Sequence, residues 1–271
     1  HRKLSLESGV IRQRLPGALL REGVSWQIMD RAGAIAGASA WVRVHVNGRL
    51  LGVYTRVEQI DKSYLRRRVG EDEGFLYKFD PTNPDGVHRR LTREGEPDPY
   101  LAALCWQPFD SLCARPADPL QALKDHLEIH QLITIGAVNT LLGNTDGLLE
   151  AVQNYFFYNT ARPRLYFPWD LDLTLLPENS DRHPHSSEVD RLLFEAAPSL
   201  RPYFERVLRR LCGDTMSDGN ISILLDDIAA NVGPAIESDP LNLLDGGFAA
   251  ELARIRAWLK ARTVFLRRVL S

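Results

Sequence analysis

Cysteine is scarce in this chain, and its scarcity limits the kinds of site that the sequence can hold. The 271 residues include three cysteines, Cys105, Cys113 and Cys212. A low, odd count does not form the disulfide framework of a small secreted domain, and no pair has the C-x-x-C spacing typical of a zinc site. Buried free thiols are therefore the favoured interpretation, with a Cys105–Cys113 disulfide as the alternative.

The sequence also lacks a long apolar run and an excess of either charge. No apolar stretch approaches the roughly 18 residues that a transmembrane helix needs, so no membrane span is predicted. The formal net charge is −2 and the pI is near 6.4, which gives no reason to expect nucleic acid or an anionic membrane as the partner. The first residues show neither a signal-peptide pattern nor an initiator Met, so we expect a trimmed start.

The chain does contain segments with clear helical or strand periodicity. Residues 10–32 have helical spacing with a break near Pro16-Gly17, and Asn47-Gly48 joins two alternating segments, 41–46 and 51–57, as in a β-hairpin. Further predictions are a helix capped by Asp61, a strand at 74–80, one long helix over 119–142, a hairpin of 154–158 with 164–168, and a helix over 248–270. This order predicts an α+β fold with a smaller mixed lobe and a larger, mainly helical lobe.

Two carboxylates interrupt an apolar stretch of the chain. FPWDLDLTLL, at 167–176, is apolar apart from Asp170, Asp172 and one threonine. Residues two apart on an extended segment point to one face, where partly buried carboxylates repel each other and are costly to desolvate. A divalent cation would remove that conflict, although an Asp-x-Asp pair by itself more often caps a helix or lies in a turn. Carboxylate and amide oxygens favour Mg²⁺ or Mn²⁺ over zinc.

Other polar residues precede this stretch in an informative order. Asp146 lies in the loop GNTDG after a buried helix, and Asn154 opens the strand QNYFFY. If that strand pairs with the one before Asp170, the hairpin brings Asn154 close to Asp170. Alone, each feature is more often a turn or a strand-edge hydrogen bonder. Together they repeat the protein-kinase order of a catalytic-loop Asp, a metal-binding Asn and a metal-binding Asp. Because H-R-D and D-F-G are both missing, an atypical kinase is predicted.

Several stretches together resemble the CotH family, the spore-coat-type atypical protein kinases. They are VRVHVNGRLLGVYTRVEQIDKSYLRRR, GFLYK, LLGNTDG, QNYFFY and FPWDLDLT, and the resemblance covers about residues 18–270. It implies an atypical protein-kinase-like fold with a partial small lobe at 1–60, incomplete at its N-terminus, and a mainly helical lobe at 61–271. It also implies ATP-dependent phosphorylation of serine residues in a protein partner with Ser-rich segments. An extracytoplasmic, cell-surface or spore-coat location is suggested by the resemblance alone.

The resemblance also assigns roles to the polar residues. Asp146 would be the catalytic acid of the loop and Asp170 the metal-binding acid, with Asn154 and Asp172 supporting Mg²⁺ or Mn²⁺. The VEQID stretch follows a hairpin as a kinase hinge does, which would place Glu58 and Gln59 along the adenine of ATP. For Lys78 in GFLYK two interpretations stay open, a contact with the nucleotide or an ordinary surface lysine.

The sequence departs from the family pattern at two places. The basic, small-residue segment that would cover the phosphates lies, in the family, upstream of the point where this sequence starts. The loop GNTDGLLEAVQNY lacks the aromatic and His residues common around its Asp and Asn. The competing hypothesis is therefore a non-catalytic surface or coat binding protein that retains the fold. A metal-dependent hydrolase built on Asp170 and Asp172 is a third hypothesis, disfavoured because no His motif such as HxxxH accompanies them.

Overall fold

The structure, a computed structural model, describes residues 5–7, 17–84, 88–100, 118–184, 193–195, 197–241, 244 and 246–271. Cys105 and Cys113 lie outside these residues, and so does the predicted helical stretch before Pro16-Gly17. Cys212 is a free, buried thiol, and burial raises its pKa to about 11. Of the described helices, none is both long and apolar enough to cross a membrane.

Helices and short strands alternate along the first two thirds of the described chain, and helices follow. In order they are β1 (Ser5–Glu7), α1 (Ala18–Arg31), β2 (Ser39–Val46), β3 (Arg49–Val57), α2 (Lys62–Arg68), β4 (Phe75–Phe79), β5 (His88–Arg90), α3 (Pro119–His126), α4 (Ile129–Leu142), α5 (Leu148–Ala151), β6 (Tyr155–Asn159), β7 (Leu165–Pro168), a 3-10 turn (Pro177–Asn179), α6 (Leu200–Arg210), a π-helical turn (Leu211–Thr215), α7 (Asp218–Glu237) and α8 (Gly247–Val269). The fold is therefore α+β, as the sequence predicts.

The first sheet contains the predicted hairpin. Its strand order is β1-β3-β2, and both pairings are antiparallel. Asn47 and Gly48 join β2 to β3 with φ angles of 51° and 79°. Positive φ at both central residues is what a type I′ turn requires, and its twist matches that of the paired strands. The predicted hairpin is thus confirmed, with each strand about two residues longer at one end.

The second sheet brings together strands that are far apart in sequence. Its order is β5-β4-β6-β7, antiparallel throughout. The predicted strand at 74–80 is confirmed as β4, and the second predicted hairpin is confirmed as β6 and β7. Aromatic rings stack across the pairing, with the ring centroids of Tyr77 and Phe157 4.7 Å apart. Because β6 is buried along its whole length, it is the central support of this sheet.

The single long helix predicted over 119–142 is wrong, since the chain breaks into α3 and α4. Leu127 is extended, and Glu128 caps α4 by accepting a hydrogen bond from the Gln131 N–H at 2.6 Å. The break lets the backbone bond with Arg164, whose N–H donates to His126 O at 2.7 Å and whose carbonyl accepts from Glu128 N at 2.9 Å. These bonds fix the start of α4 against the β6–β7 hairpin.

One large apolar core joins α1, α4 and the C-terminal helices, and a smaller cluster lies between α2 and the second sheet. The predicted cap of α2 is confirmed, because the Asp61 carboxylate accepts from Tyr64 N at 2.9 Å. Helix α1 is joined to α8 by a buried ion pair between Arg21 and Glu251, whose Nη1 and Oε1 are 3.2 Å apart. The domain boundary at residue 60 stays a prediction.

Candidate active site

Asp146 lies in a short loop that is fixed from below by buried polar side chains. Helix α4 ends at Gly143, whose φ of 63° turns the chain into the loop. The Asn144 carboxamide oxygen accepts from Asp146 N at 3.1 Å, and its Nδ2 donates to Asn139 Oδ1 at 3.3 Å. Asn139 in turn donates to Glu150 Oε2 at 3.1 Å. This chain of hydrogen bonds holds the backbone of Asp146 in one position relative to α4.

Asn154 contacts Asp146 directly. Its Nδ2 donates to Asp146 Oδ2 at 2.9 Å and to Asp146 O at 3.2 Å. Both residues are partly buried. These two hydrogen bonds from Asn154 orient the Asp146 carboxylate.

The backbone places Asn154 beside the residue that precedes Asp170. Trp169 N donates to Asn154 O at 2.9 Å, which extends the β6–β7 ladder by one bond. Asn154 and Asp170 then both take left-handed conformations, with φ angles of 53° and 52°. Among non-glycine residues, Asn and Asp adopt this conformation most readily. The prediction that the hairpin brings Asn154 close to Asp170 is confirmed at the level of the backbone.

The extended conformation expected for the stretch after the hairpin is wrong. Strand β7 ends at Pro168, Asp170 is left-handed, and Asp172 lies in a turn. The argument that residues two apart point to one face applies only to an extended chain, so it no longer links Asp170 with Asp172. A metal-binding role for Asp172 stays a prediction that rests on the family resemblance.

Lys78 lies at the same end of the second sheet as Asp170. Its Nζ is 5.3 Å from the ring centroid of Trp169 and 5.6 Å from that of Phe156. An ammonium group over two aromatic faces is held by cation–π attraction. Trp169 directly precedes Asp170, so Lys78 lies near the predicted metal-binding acid. The contact of Lys78 with a nucleotide stays a prediction.

Glu58 is bound at the junction of β3 and α2. Its N–H donates to Ala38 O at 2.8 Å, its Oε2 accepts from Ala38 N at 3.1 Å, and its Oε1 pairs with Arg67. Within the described residues these bonds do not join Glu58 to Asp146, Asn154 or Asp170. The predicted contact of Glu58 and Gln59 with adenine stays a prediction. Because both carboxylate oxygens of Glu58 already have partners, a side-chain contact with adenine would come from Gln59.

Helix α1 packs against the segment that contains Asp170, and the sequence reasoning did not identify this contact. The Trp26 ring meets the Trp169 ring edge to face at 6.3 Å, and Trp26 Nε1 donates to the buried carboxylate of Glu22 at 3.1 Å. Ser25, the residue before Trp26, places its Oγ 2.7 Å from Thr174 Oγ1. The available signal was the pairing of an acid and a tryptophan at i and i+4 of the helix.

The residues at this end of the hairpin fit a hard divalent cation. Among the described residues, no group of three or more His, Cys, Asp or Glu side chains is arranged to hold a metal ion. The predicted metal ligands differ from such a group, because one of them is the side-chain amide of Asn154. Since Asn154 directs Nδ2 twice toward Asp146, its amide oxygen is the end that points elsewhere. That oxygen and the Asp170 carboxylate are the donor types that Mg²⁺ and Mn²⁺ prefer.

Comparisons with known proteins add a family and two relatives. A family model described as CotH kinase protein matches residues 13–266. Inner spore coat protein H of Bacillus subtilis (strain 168) is 24% identical over 174 residues, which are 58% of this chain and 46% of that protein. This chain therefore spans about half the length of that relative. A solved structure of the Shewanella oneidensis MR-1 toxin–antitoxin system, which contains HipA, HipB and their operator DNA, also matches through HipA. The TM-score is 0.43 and the sequence identity is 16%, and the match covers 93% of this chain and 57% of HipA.

Proposed function

The chain belongs to the CotH kinase family, and from this premise we propose that it transfers the γ-phosphoryl group of ATP to a serine hydroxyl of a protein. The observation that carries the proposal is the hydrogen-bonded pair of Asp146 and Asn154, which stands next to the backbone of Asp170. In protein kinases a catalytic-loop Asp, a nearby Asn and a second Asp divide the work of positioning the acceptor and holding metal.

Asp146 acts on the acceptor hydroxyl. Its carboxylate accepts a hydrogen bond from the serine O–H and aims the oxygen at the γ-phosphorus, with Asn154 keeping the carboxylate in place. As the new O–P bond forms, the bond between the γ-phosphorus and the β,γ-bridging oxygen breaks, and ADP leaves. The hydroxyl proton passes to Asp146 and then to solvent. The reaction needs little covalent chemistry from the protein, so positioning supplies much of the rate.

Asp170 and Asn154 are the residues that would hold Mg²⁺ or Mn²⁺, with Asp172 as a further candidate. When bound, such an ion neutralises negative charge on the phosphates of ATP. The Lys78 ammonium, held over Trp169, would bring a second positive charge to the same end of the sheet. Gln59 and the backbone after β3 would contact the adenine.

The proposed acceptor rests on the family resemblance, and the proposed location rests on that resemblance and on one relative. A relative of this chain is a spore coat protein of Bacillus subtilis. We infer a protein acceptor with Ser-rich segments and a coat, cell-surface or other extracytoplasmic location.

The test is transfer of ³²P from γ-labelled ATP, with Mg²⁺ or Mn²⁺, to a Ser-rich acceptor and to the chain itself. Asp146→Asn should lower transfer by about 10²-fold or more, since a positioned acid–base group contributes roughly 10²–10⁴-fold. Asp170→Asn should also lower transfer by about 10²-fold or more, since a bound metal ion contributes several kcal/mol of charge stabilisation. Asp227→Asn, at an exposed position of α7, is the matched control and should keep wild-type activity. Full transfer by both site variants would refute the assignment.

The competing hypothesis, a non-catalytic binding protein that retains the fold, makes a different prediction. Such a protein would show no transfer in the wild type, and Asp146→Asn would change nothing measurable. Calorimetric titration with ATP, with and without Mg²⁺, separates the cases further. The kinase proposal expects metal-dependent nucleotide binding that Asp170→Asn weakens, whereas a pure adhesin need not bind the nucleotide.

A further inference from the structure

The C-terminal helix α8 donates hydrogen bonds to the segment that follows Asp170. Trp258 and Arg262 are four residues apart, so they share one face of the helix. Trp258 Nε1 donates to Leu176 O at 2.7 Å. Arg262 Nη1 donates to Arg182 O at 2.5 Å. Because the acceptors are main-chain carbonyls, these bonds fix the path of the chain after the proposed metal-binding acid.

The same two residues also reach the helix that leads to Asp146. Arg262 Nη2 donates to Thr140 O at 2.6 Å, in the last turn of α4. The Trp258 ring lies against Gly143, where a Cβ would come within 3.1 Å of it. The two Nη atoms of one guanidinium therefore bind two segments of the chain, one before Asp146 and one after Asp170 in the sequence.

The chemistry of Arg262 suits this bridging position. The side chain is almost fully buried, with 1% of its surface exposed. Burial lowers the pKa of Arg262 to about 10, so the guanidinium keeps its charge at neutral pH. Carbonyls in the last turn of a helix carry partial negative charge, and a cation there is stabilised. A guanidinium presents its donors in a fixed planar fork, so the two arms hold a set distance that a lysine cannot hold.

We propose that Arg262 is a positioning residue for phosphoryl transfer, fixing the α4 end that leads to Asp146 relative to the segment after Asp170. The inference rests on the proposed function and extends it to a helix outside the acceptor and nucleotide contacts. With 1% of its surface exposed, Arg262 has almost no surface with which to contact a reactant. Its effect comes through the alignment of the two segments, and a misplacement of about 1 Å can cost roughly 10²-fold in rate.

The test compares Arg262→Met and Arg262→Lys with a matched control on the same helix. Arg256 is also an arginine of α8, but its Nη2 binds Asp226 of α7 at 2.5 Å. Arg262→Met should lower kcat for transfer by about 10–10²-fold, with the KM for ATP within twofold of wild type. Arg262→Lys, which keeps the charge and one arm, should recover part of the loss, and Arg256→Met should keep wild-type kcat. All assays are run well below each variant's unfolding midpoint.

Amide hydrogen exchange gives a second readout that does not depend on activity. Arg262→Met should speed exchange in residues 143–147 and 174–184 but not in β2 or β3, and Arg256→Met should leave both segments unchanged. A wild-type chain without transfer would refute the proposed function. Unchanged exchange in Arg262→Met would refute the positioning proposal whether or not the wild type is active. The positioning proposal would also be refuted if Arg262→Met had the wild-type kcat, whether or not its KM for ATP were raised.

Discussion

The buried ion pair between α1 and α8 gives a stability prediction that can be worked from the structure. Arg21 and Glu251 have side chains that are 7% and 4% exposed, and Nη1 and Oε1 are 3.2 Å apart. Burial lowers the pKa of Arg21, and the neighbouring Glu251 opposes that shift. Glu251 also binds Arg254 at 2.6 Å, but Arg254 is half exposed. The pair is therefore asymmetric, since Glu251 has a second cation close by.

This asymmetry sets the expected magnitudes. Glu251→Met leaves the Arg21 cation buried without this carboxylate and should cost about 3–5 kcal/mol of unfolding free energy. Arg21→Met leaves Glu251 paired with Arg254 and should cost less, about 1–2 kcal/mol. The double variant replaces the pair by apolar side chains of similar length and should cost at most about 2 kcal/mol. The singles then exceed the double by about 3 kcal/mol, which is the coupling free energy of the cycle.

The assay is equilibrium unfolding in urea, followed by the fluorescence of the five tryptophans. The four proteins are measured in parallel at one pH and ionic strength. Arg256→Met, which breaks the more exposed ion pair between Arg256 and Asp226, serves as the control. Additive costs in the double variant would refute the reasoning, because they would mean that the two charges do not compensate each other. A Glu251→Met cost below about 1 kcal/mol, the level of an exposed pair, would refute it as well.

Two further predictions concern a partly buried histidine and a buried hydroxyl. Nε2 of His88 lies 2.7 Å from the Tyr155 hydroxyl, and burial lowers the pKa of His88 to about 4. In the unfolded chain the same imidazole has a pKa near 6.5, so the unfolded state binds the proton first as the pH falls. The unfolding free energy should therefore fall by about 1 kcal/mol from pH 7 to pH 5, after halving for the partial exposure of His88. His88→Gln should flatten that dependence in urea midpoints, and an equal slope in both proteins would refute the assignment. Thr174→Val removes the hydroxyl that donates to Leu171 O at 2.6 Å and bonds to Ser25, and should cost about 1–3 kcal/mol in the same assay. Ser25→Ala with Thr174→Val should cost less than the two singles together, and additivity would count against a shared bond.

Features that depend on neighbouring residues could be predicted from the sequence. Asn47-Gly48 predicts its hairpin because few other residues accept two positive φ angles in succession. Asp61 predicts the start of α2 because its carboxylate bonds a backbone N–H three residues on. The order of Asp146, Asn154 and Asp170 along the chain predicted their neighbourhood, since the hairpin that joins the last two is itself local.

Features that depend on distant partners could not be predicted in the same way. The break at Leu127 contains no Pro or Gly, and it follows from backbone bonds to Arg164, a residue outside any local window. Asp can adopt the left-handed conformation found at Asp170, but most Asp residues do not. The identity of the residue therefore did not predict this turn, and the apolar stretch around it was predicted to be a strand. Arg262 looked like an ordinary helical charge, because its acceptors lie about 80 and about 120 residues away. Hydrogen-bond partners at such sequence separations are determined by the packing of the whole fold and not by local residue propensity.

The strand order of the second sheet has a consequence for how the chain is made. Phe75 pairs with Asn159, so β4 leaves the ribosome well before its main partner has been synthesised. Closing a loop of about 80 residues costs roughly 3 kcal/mol more chain entropy than closing a four-residue hairpin. Strand β4 can therefore pair with β6 only after β6 has been synthesised. The hairpin of β6 and β7 can form first, because its two strands are close in sequence. We therefore expect the end of this hairpin that brings Asn154 and Asp170 together to form before the sheet that supports it is complete.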